Sequence, residues 1–242
     1  MKPIQVYNKL FDHFGPQNWW PADSAFEVIV GAILTQNTNW VNVEKAIEAL
    51  KKDNLLSPEA ISKVPLQKLE KAIRSSGFYR QKARRLKYFT SYLKKNYNLN
   101  MKTFICTGKE KLRKELLSLS GIGPETADSI ILYAAGKPSF VIDAYTKRMC
   151  KRIGATNISD YEPLKGFFES SLPRNVKLYN EFHALIVVFV KNYCRVKPLC
   201  GKCPLKGGCR YMRGLGNRQN KTFQIKKAAK KPSIPKIRKK KK

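Results

Sequence analysis

An all-α fold is predicted by three features of this 242-residue sequence. Apolar residues recur at helical three- and four-residue spacing along most of the chain, strand-like alternation is confined to residues 139–142, and the connections are short. At 43% hydrophobic and 11% aromatic residues the chain can bury a core, which excludes disorder over its full length. No apolar run approaches the ~18 residues of a membrane span, and Met1-Lys-Pro-Ile-Gln-Val6 carries no signal-peptide pattern. A soluble intracellular protein is expected, not a secreted one.

Taken in order, Ser24-Ala-Phe-Glu27 forms a capping box that opens an apolar helix through Val28, Ile29, Ile33 and Leu34. Helical spacing then predicts helices over 43–52, 58–63, 66–75, 82–96 and 109–118. It continues over 124–135, with Pro124 at the first helical position, and over 144–153, 161–171 and 180–192. Residues 139–142 are the one candidate strand. There is no internal repeat. From about Arg213 the sequence turns Gly-, Lys- and Pro-rich without apolar periodicity, so 213–242 is expected to be a disordered basic tail.

Charge is the first pointer to function. Lys and Arg number 48 against 17 Asp and Glu, a net charge of +31. Residues 217–242 hold 12 of the basic groups and no acid, which leaves about +19 on residues 1–216. A basic body, not only a basic tail, suits displacement of counterions from phosphates and hence a nucleic-acid partner. Anionic membranes and acidic proteins are the other partners such a balance could serve.

Four of the six cysteines, Cys194, Cys200, Cys203 and Cys209, fall within 16 residues as C-x5-C-x2-C-x5-C. Nothing in the sequence indicates the oxidising compartment that disulfides need. Four thiolates on a Pro- and Gly-containing loop suit a metal, either tetrahedral zinc or a [4Fe–4S] cube, and spacing does not separate the two. Cys106 and Cys150 are ordinary unpaired thiols, and the separated His13 and His183 are expected to be structural.

Leu119-Ser-Gly-Ile-Gly-Pro-Glu-Thr-Ala127 joins two predicted helices through a turn containing Gly121 and Gly123. Such glycines let backbone N–H groups approach a phosphate, and the following helix N-terminus adds partial positive charge. Asp143 follows Glu125 by 18 residues and is placed to N-cap the helix from Ala144. A cap can also present its carboxylate to a cleft.

These residues carry a resemblance. Leu119–Ala127 with Gly136, Pro138 and Asp143 resembles the helix-hairpin-helix and Gly/Pro…Asp motif of the endonuclease III superfamily of DNA glycosylases. Leu34-Thr-Gln-Asn-Thr38 and Gly77-Phe-Tyr-Arg-Gln-Lys-Ala83 resemble its two DNA-facing loops, and 194–209 its [4Fe–4S] loop. The motifs span roughly residues 15–212 in the family's order. The resemblance implies a six-helix barrel over 21–136 and a second helical lobe from 1–20 and 137–212 that carries an iron–sulfur cluster. The first cysteine gap is five residues, where six would be expected of endonuclease III.

Glu125 occupies the position of that family's Schiff-base lysine and cannot form an imine. A monofunctional enzyme is therefore implied, with Lys111, Lys114 or Lys137 as substitutes only if a lyase activity is retained. Trp19-Trp-Pro21, Trp40 and Gly121–Asp128 are similar to the 3-methyladenine branch, in which electron-rich indoles stack on a cationic base.

What the resemblance implies is a cytoplasmic, nucleoid-associated prokaryotic monomer acting on duplex DNA that contains a damaged base. Gly121, Ile122 and Gly123 would hold phosphate, Gln36 would fill the vacated stack and Phe78 would wedge beside the opposite strand. Trp19, Trp20, Pro21 and Trp40 would cage the base, with Asp143 and Glu125 as the catalytic carboxylates. Cys194, Cys200, Cys203 and Cys209 would bind the [4Fe–4S] cluster, with zinc the alternative. Competing readings are a thymine/uracil mismatch or endonuclease III-type enzyme and, from another class, a non-catalytic DNA-binding protein.

Overall fold

In the computed structural model, which describes residues 1–214, twelve helices form the frame. They are α1 (Pro3–Phe14), α2 (Ala25–Leu34), α3 (Trp40–Lys52), α4 (Pro58–Lys63), α5 (Leu66–Ala72) and α6 (Tyr79–Tyr97). They continue as α7 (Met101–Cys106), α8 (Lys109–Ser118), α9 (Pro124–Ser129), α10 (Ala144–Ile153), α11 (Tyr161–Ser171) and α12 (Val176–Asn192). Among the described residues there is no strand, and no helix is long and apolar enough to cross a membrane. The expected basic tail lies outside the described residues from 215 onward.

Several boundaries differ from the sequence expectation for identifiable reasons. The expected strand at 139–142 is extended but unpaired: Phe140, Val141 and Ile142 are buried in a helical core. Helix α1 was not expected, although Pro3 opens it and Val6 and Leu10 supply its buried stripe. The short α7, N-capped by Asn100, was also missed. Helix α6 begins at Tyr79, directly after Phe78 in a left-handed conformation, and α12 begins at Val176 behind an Asn175 cap. The stretch 124–135 is not one α-helix, since α9 passes into a π-helical Ile130–Ala134. Only half of the expected capping box closes as drawn. Ser24 Oγ accepts from Glu27 N–H at 3.1 Å, but the Glu27 carboxylate accepts from Asp23 N–H and pairs with Lys51 at 2.8 Å.

Two apolar cores organise these helices. The first runs through α2 to α9 and the start of the π-helical segment, with Ile29, Ile33, Leu86, Phe89 and Leu116 fully buried. The second gathers α1, α10–α12 and Phe140–Ile142, and its centre is aromatic. Phe140 stacks on Phe168 at 4.3 Å and meets Tyr179 and Phe182 edge-on. The π-helical segment serves both, with Ile130 and Ile131 in the first core and Leu132 in the second. Asp128 ties the cores together, because its carboxylate takes hydrogen bonds from Arg113 of α8, Ser139 and Tyr161 of α11.

Candidate functional site

A cavity of about 130 Å³ opens where α2, α3, α9, α10 and α12 meet. On one side stand three indoles. Trp40 lies 5.1 Å from Trp19 and 5.0 Å from Trp20, the latter pair nearly perpendicular. Trp20 also packs on Tyr133 and on the bare backbone of Gly31, where a Cβ would stand 3.0 Å from its ring. Pro21 is not part of this wall. It lines a separate cavity with Glu27, Glu44 and Lys51 on the outer side of Trp20 and Trp40.

Across the cavity stand Asp143, Glu125 and His183. Asp143 is the N-cap of α10: its Oδ1 accepts from Thr146 N–H at 2.6 Å. The capping bond occupies that oxygen and leaves Oδ2 beside His183 Nε2 at 3.6 Å. Burial pushes the Asp143 carboxyl up, but His183 and the Thr146 N–H outweigh it and hold the group below its ordinary value. Glu125, in the first turn of α9, is reached by solvent through the cavity. Crowding by protein and the Asp143 charge raise its pKa, against smaller opposing effects of His183 and Lys147. His183 was expected to be structural. Instead its ring joins Asp143 to Tyr133, whose hydroxyl meets Nδ1 at 2.6 Å. No local pattern in the sequence announces that meeting, because His183 lies 40 positions from Asp143 and 50 from Tyr133.

The hairpin turn is shaped by Gly121, whose φ of 83° lies in the left-handed region and whose missing Cβ makes room for the Arg85 side chain. Ile122 N–H is used inside the turn, donating to Leu119 O at 3.0 Å, and the Ile122 side chain is buried. The Gln36 amide donates to Gly121 O at 3.0 Å and to Thr126 Oγ1 at 2.9 Å, and its carbonyl accepts from Arg85. Phe78 stands out on its own loop, 62% exposed with φ 46°. Behind both loops Lys82 is 1% exposed. Its amine donates to Leu34 O at 2.8 Å and Ser76 O at 2.6 Å, and burial pushes its pKa down to about 8.

Residues 30–174, which include the hairpin, the Gln36 and Phe78 loops and Asp143, match the HhH-GPD superfamily of base excision DNA repair proteins. The chain belongs to this superfamily. It is 50% identical over 208 residues to a provisionally named DNA repair glycosylase of Methanocaldococcus jannaschii, covering 85% of this chain and 94% of that one. It is 29% identical to endonuclease III of Thermotoga maritima, over 86% and 93% of the two chains. Among solved structures, the H. pylori 3-methyladenine DNA glycosylase bound to 1,N6-ethenoadenine superposes with a TM-score of 0.71 at 29% identity. That match covers 79% of this chain and 98% of the other. An endonuclease III–DNA complex shares the fold with a TM-score of 0.76 at 24% identity, over 90% and 99% of the chains. The protein is thus a DNA repair glycosylase of the endonuclease III-like superfamily.

The cysteine run of this HhH-GPD chain follows α12. Cys194 and Cys209 are buried, Cys200 and Cys203 half-buried, and two short 3₁₀ turns fold the run back on itself. Arg152, at the end of α10, holds the first gap by donating to the carbonyls of Cys194, Arg195 and Val196, with Nη1 3.5 Å from Cys194 Sγ. Among the described residues no three such ligand groups converge tightly enough to hold a single metal ion. The thiols are nonetheless close enough to act on one another. Burial and the neighbouring sulfurs push Cys203 up to about 11. Four soft donors without an acid in the loop fit a thiophilic centre. Buried Cys150, raised to about 12 by burial, and exposed Cys106 stand outside this group.

Of the lysines considered as substitute nucleophiles, none lines the cavity. Lys111 faces Glu115 at 4.0 Å, Lys137 donates to Ile105 O, and Lys114 is exposed on α8. The lysine that does line the cavity is Lys191 of α12, two turns along the helix from His183.

Proposed function

We propose that this glycosylase is monofunctional and releases an alkylated purine, of the 3-methyladenine kind, from duplex DNA. The observation that carries the reading is the wall of Trp19, Trp20 and Trp40 facing the Asp143 carboxylate across one base-sized cavity. An N3-alkylated purine is cationic and electron-poor, so it stacks on indoles and leaves as a neutral base. It therefore needs little acid catalysis. Flipping costs a few kcal/mol, the outlay for unstacking. The turn at Gly121 and Gly123 faces the phosphates, Gln36 leaves its resting bonds to fill the stack, and Phe78 wedges beside it.

Asp143 then works through Oδ2, the oxygen its capping bond leaves open. It stabilises the cationic sugar and takes a proton from the attacking water, whose oxygen bonds to C1′ as the C1′–N bond breaks. Glu125 supplies no amine, so no imine forms there. Cys194, Cys200, Cys203 and Cys209 would hold a [4Fe–4S] cluster, which when bound would cross-link the loop that carries Arg195, Lys197 and Lys202, the groups proposed to meet the DNA backbone. Purified protein is expected to be brown, with absorbance near ~400 nm; stoichiometric zinc without iron refutes the cluster.

A second reading has its own support. Thr38 and Asn39 also line the cavity, and the raised Glu125 carboxyl could donate a proton. Such groups suit a neutral base that leaves poorly, as in mismatched thymine or uracil.

The deciding experiment measures bases released from methylated duplex and from duplex with G·U or G·T pairs, together with strand nicking before and after alkali. Released 3-methyladenine with nicking only after alkali is the expected result. Release of uracil or thymine alone replaces the alkylpurine reading by the second. Borohydride trapping with nicking before alkali refutes monofunctionality and points to Lys191.

A further inference from the structure

We infer that His183 is a positioning residue for base release: its Nε2–H is aimed at Asp143 Oδ2 and holds that oxygen toward the sugar, with Tyr133 fixing which ring nitrogen carries the proton. The inference rests on the reading of Asp143 as the catalytic carboxylate.

Three elements converge to build the arrangement: α12 brings His183, the π-helical turn brings Tyr133 and α10 brings Asp143. The His183 side chain is nine-tenths buried, so its two nitrogens have few partners to choose from. Nδ1 is engaged by the Tyr133 hydroxyl at 2.6 Å. Burial raises the Tyr133 phenol well above its ordinary value, so it keeps its proton and can donate it to Nδ1. That bond leaves the imidazole hydrogen on Nε2. Nε2 in turn has no hydrogen-bond partner, and Asp143 Oδ2 stands 3.6 Å away, just beyond bonding length.

A histidine serving packing alone would be expected to satisfy both nitrogens. This one satisfies the nitrogen turned away from the cavity and leaves the one turned toward the carboxylate. A small rotation closes the contact when a bound nucleotide displaces water and the local dielectric falls. Capping fixes Oδ1 and the imidazole fixes Oδ2, so the carboxylate is held at both ends. The other titratable groups around it are Glu125 from α9, Tyr145 and Lys147 from α10, Lys191 from α12 and Cys150 beneath it. Glu181 acts on Tyr133 from the far side.

The test compares the full-length wild type with His183→Phe, His183→Gln and Tyr133→Phe. Two readings are taken: single-turnover base release against pH, and titration of the Asp143 carboxyl by carbon NMR in the free protein. His183→Phe is expected to slow release about tenfold to a hundredfold at unchanged DNA affinity. The acid limb and the NMR midpoint should both move to higher pH, by ~0.5 units or more, because the group favouring the ionised carboxylate is gone. His183→Gln, with an amide N–H able to reach Oδ2, is expected to recover most of the rate and of the shift. Tyr133→Phe should fall between wild type and His183→Phe.

An unmoved Asp143 midpoint in folded His183→Phe, whatever the loss of rate, overturns the inference, as does a midpoint in His183→Gln displaced as far as in His183→Phe. If His183→Phe does not fold, full wild-type rate and an unmoved midpoint in Tyr133→Phe overturn it equally. The NMR reading needs no turnover. A wild type that releases no base, or an Asp143→Asn variant with full activity, therefore refutes the proposed reaction while leaving the His183–Asp143 coupling to be scored on its own.

Discussion

Two buried aspartates, 15 residues apart, show how the same side chain serves opposite ends in this molecule. Asp128 is 0% exposed and saturated. Its Oδ1 meets Arg113 Nε at 2.9 Å, Ser139 Oγ at 2.7 Å and Lys165 Nζ at 3.5 Å, while Oδ2 meets Arg113 Nη2 at 3.1 Å and Tyr161 OH at 2.9 Å. Asp143 has one firm bond, on Oδ1, and turns the other oxygen to a cavity. A carboxylate whose lone pairs are all engaged can hold elements together but has nothing left for a substrate. One that keeps an oxygen open is available for chemistry, and its burial must be supported from the side. The difference lies in the number and placement of partners, since both groups are buried.

The sharpest way to break the comparison is to neutralise each aspartate. Asp143→Asn is expected to cut single-turnover base release by about 10³-fold or more. Asparagine caps helices well, so the melting temperature should barely move. Asp128→Asn should do the reverse. Removing one partner of a buried ion pair costs about 3–5 kcal/mol in a urea titration, while release per folded molecule stays within a few-fold. A large activity loss in folded Asp128→Asn would erase the distinction.

A smaller effect is expected at Gly121, where an alanine meets both a left-handed backbone and Arg85. Gly121→Ala should destabilise by about 1–3 kcal/mol and weaken binding to undamaged duplex, measured by anisotropy, because Gln36 rests on the same turn. The smallest effect distinguishes Asp143 from its neighbour Glu125 by the sign of the pH dependence. The depressed Asp143 contributes stability above the ordinary carboxylate pKa, lost as pH falls through its lower folded value. The raised Glu125 is the opposite case, its contribution present below the ordinary value and lost as pH rises through the folded one. Glu125→Gln should therefore match wild type in acid and exceed it above that range. The gain should be no more than about 0.5 kcal/mol, since solvent screens the exposed group.

Much of this arrangement was legible in the chain because it is local. The caps at Ser24 and Asp143, the prolines opening α4 and α9, and the glycines of the hairpin each act within a few residues, and local pattern reports them. The boundaries that escaped depend on distant partners. Residues 139–142 look like a strand because consecutive bulky apolar side chains, here Phe140, Val141 and Ile142, are what a buried extended segment also needs. The short α7 is too brief for a period to show, and α1 buries only Pro3, Val6 and Leu10. His183 and Arg85 matter through side chains far away in sequence, and Pro21 lines only the outer cavity where its neighbour Trp20 lines both. None of these has a signature in one linear chain.

Lys82 carries a consequence of its own. One ammonium group grips the last turn of the helix before Gln36 and the turn before Phe78. The two probes that would enter DNA are thereby set at a constant gauge, like the jaws of a locked caliper. If Gln36 and Phe78 enter DNA as proposed, a duplex step that fits the gauge would pass undisturbed, and one weakened by damage would yield between the jaws. Inspection of the helix would then be a measurement of how readily the DNA deforms, made before any base has reached the cavity.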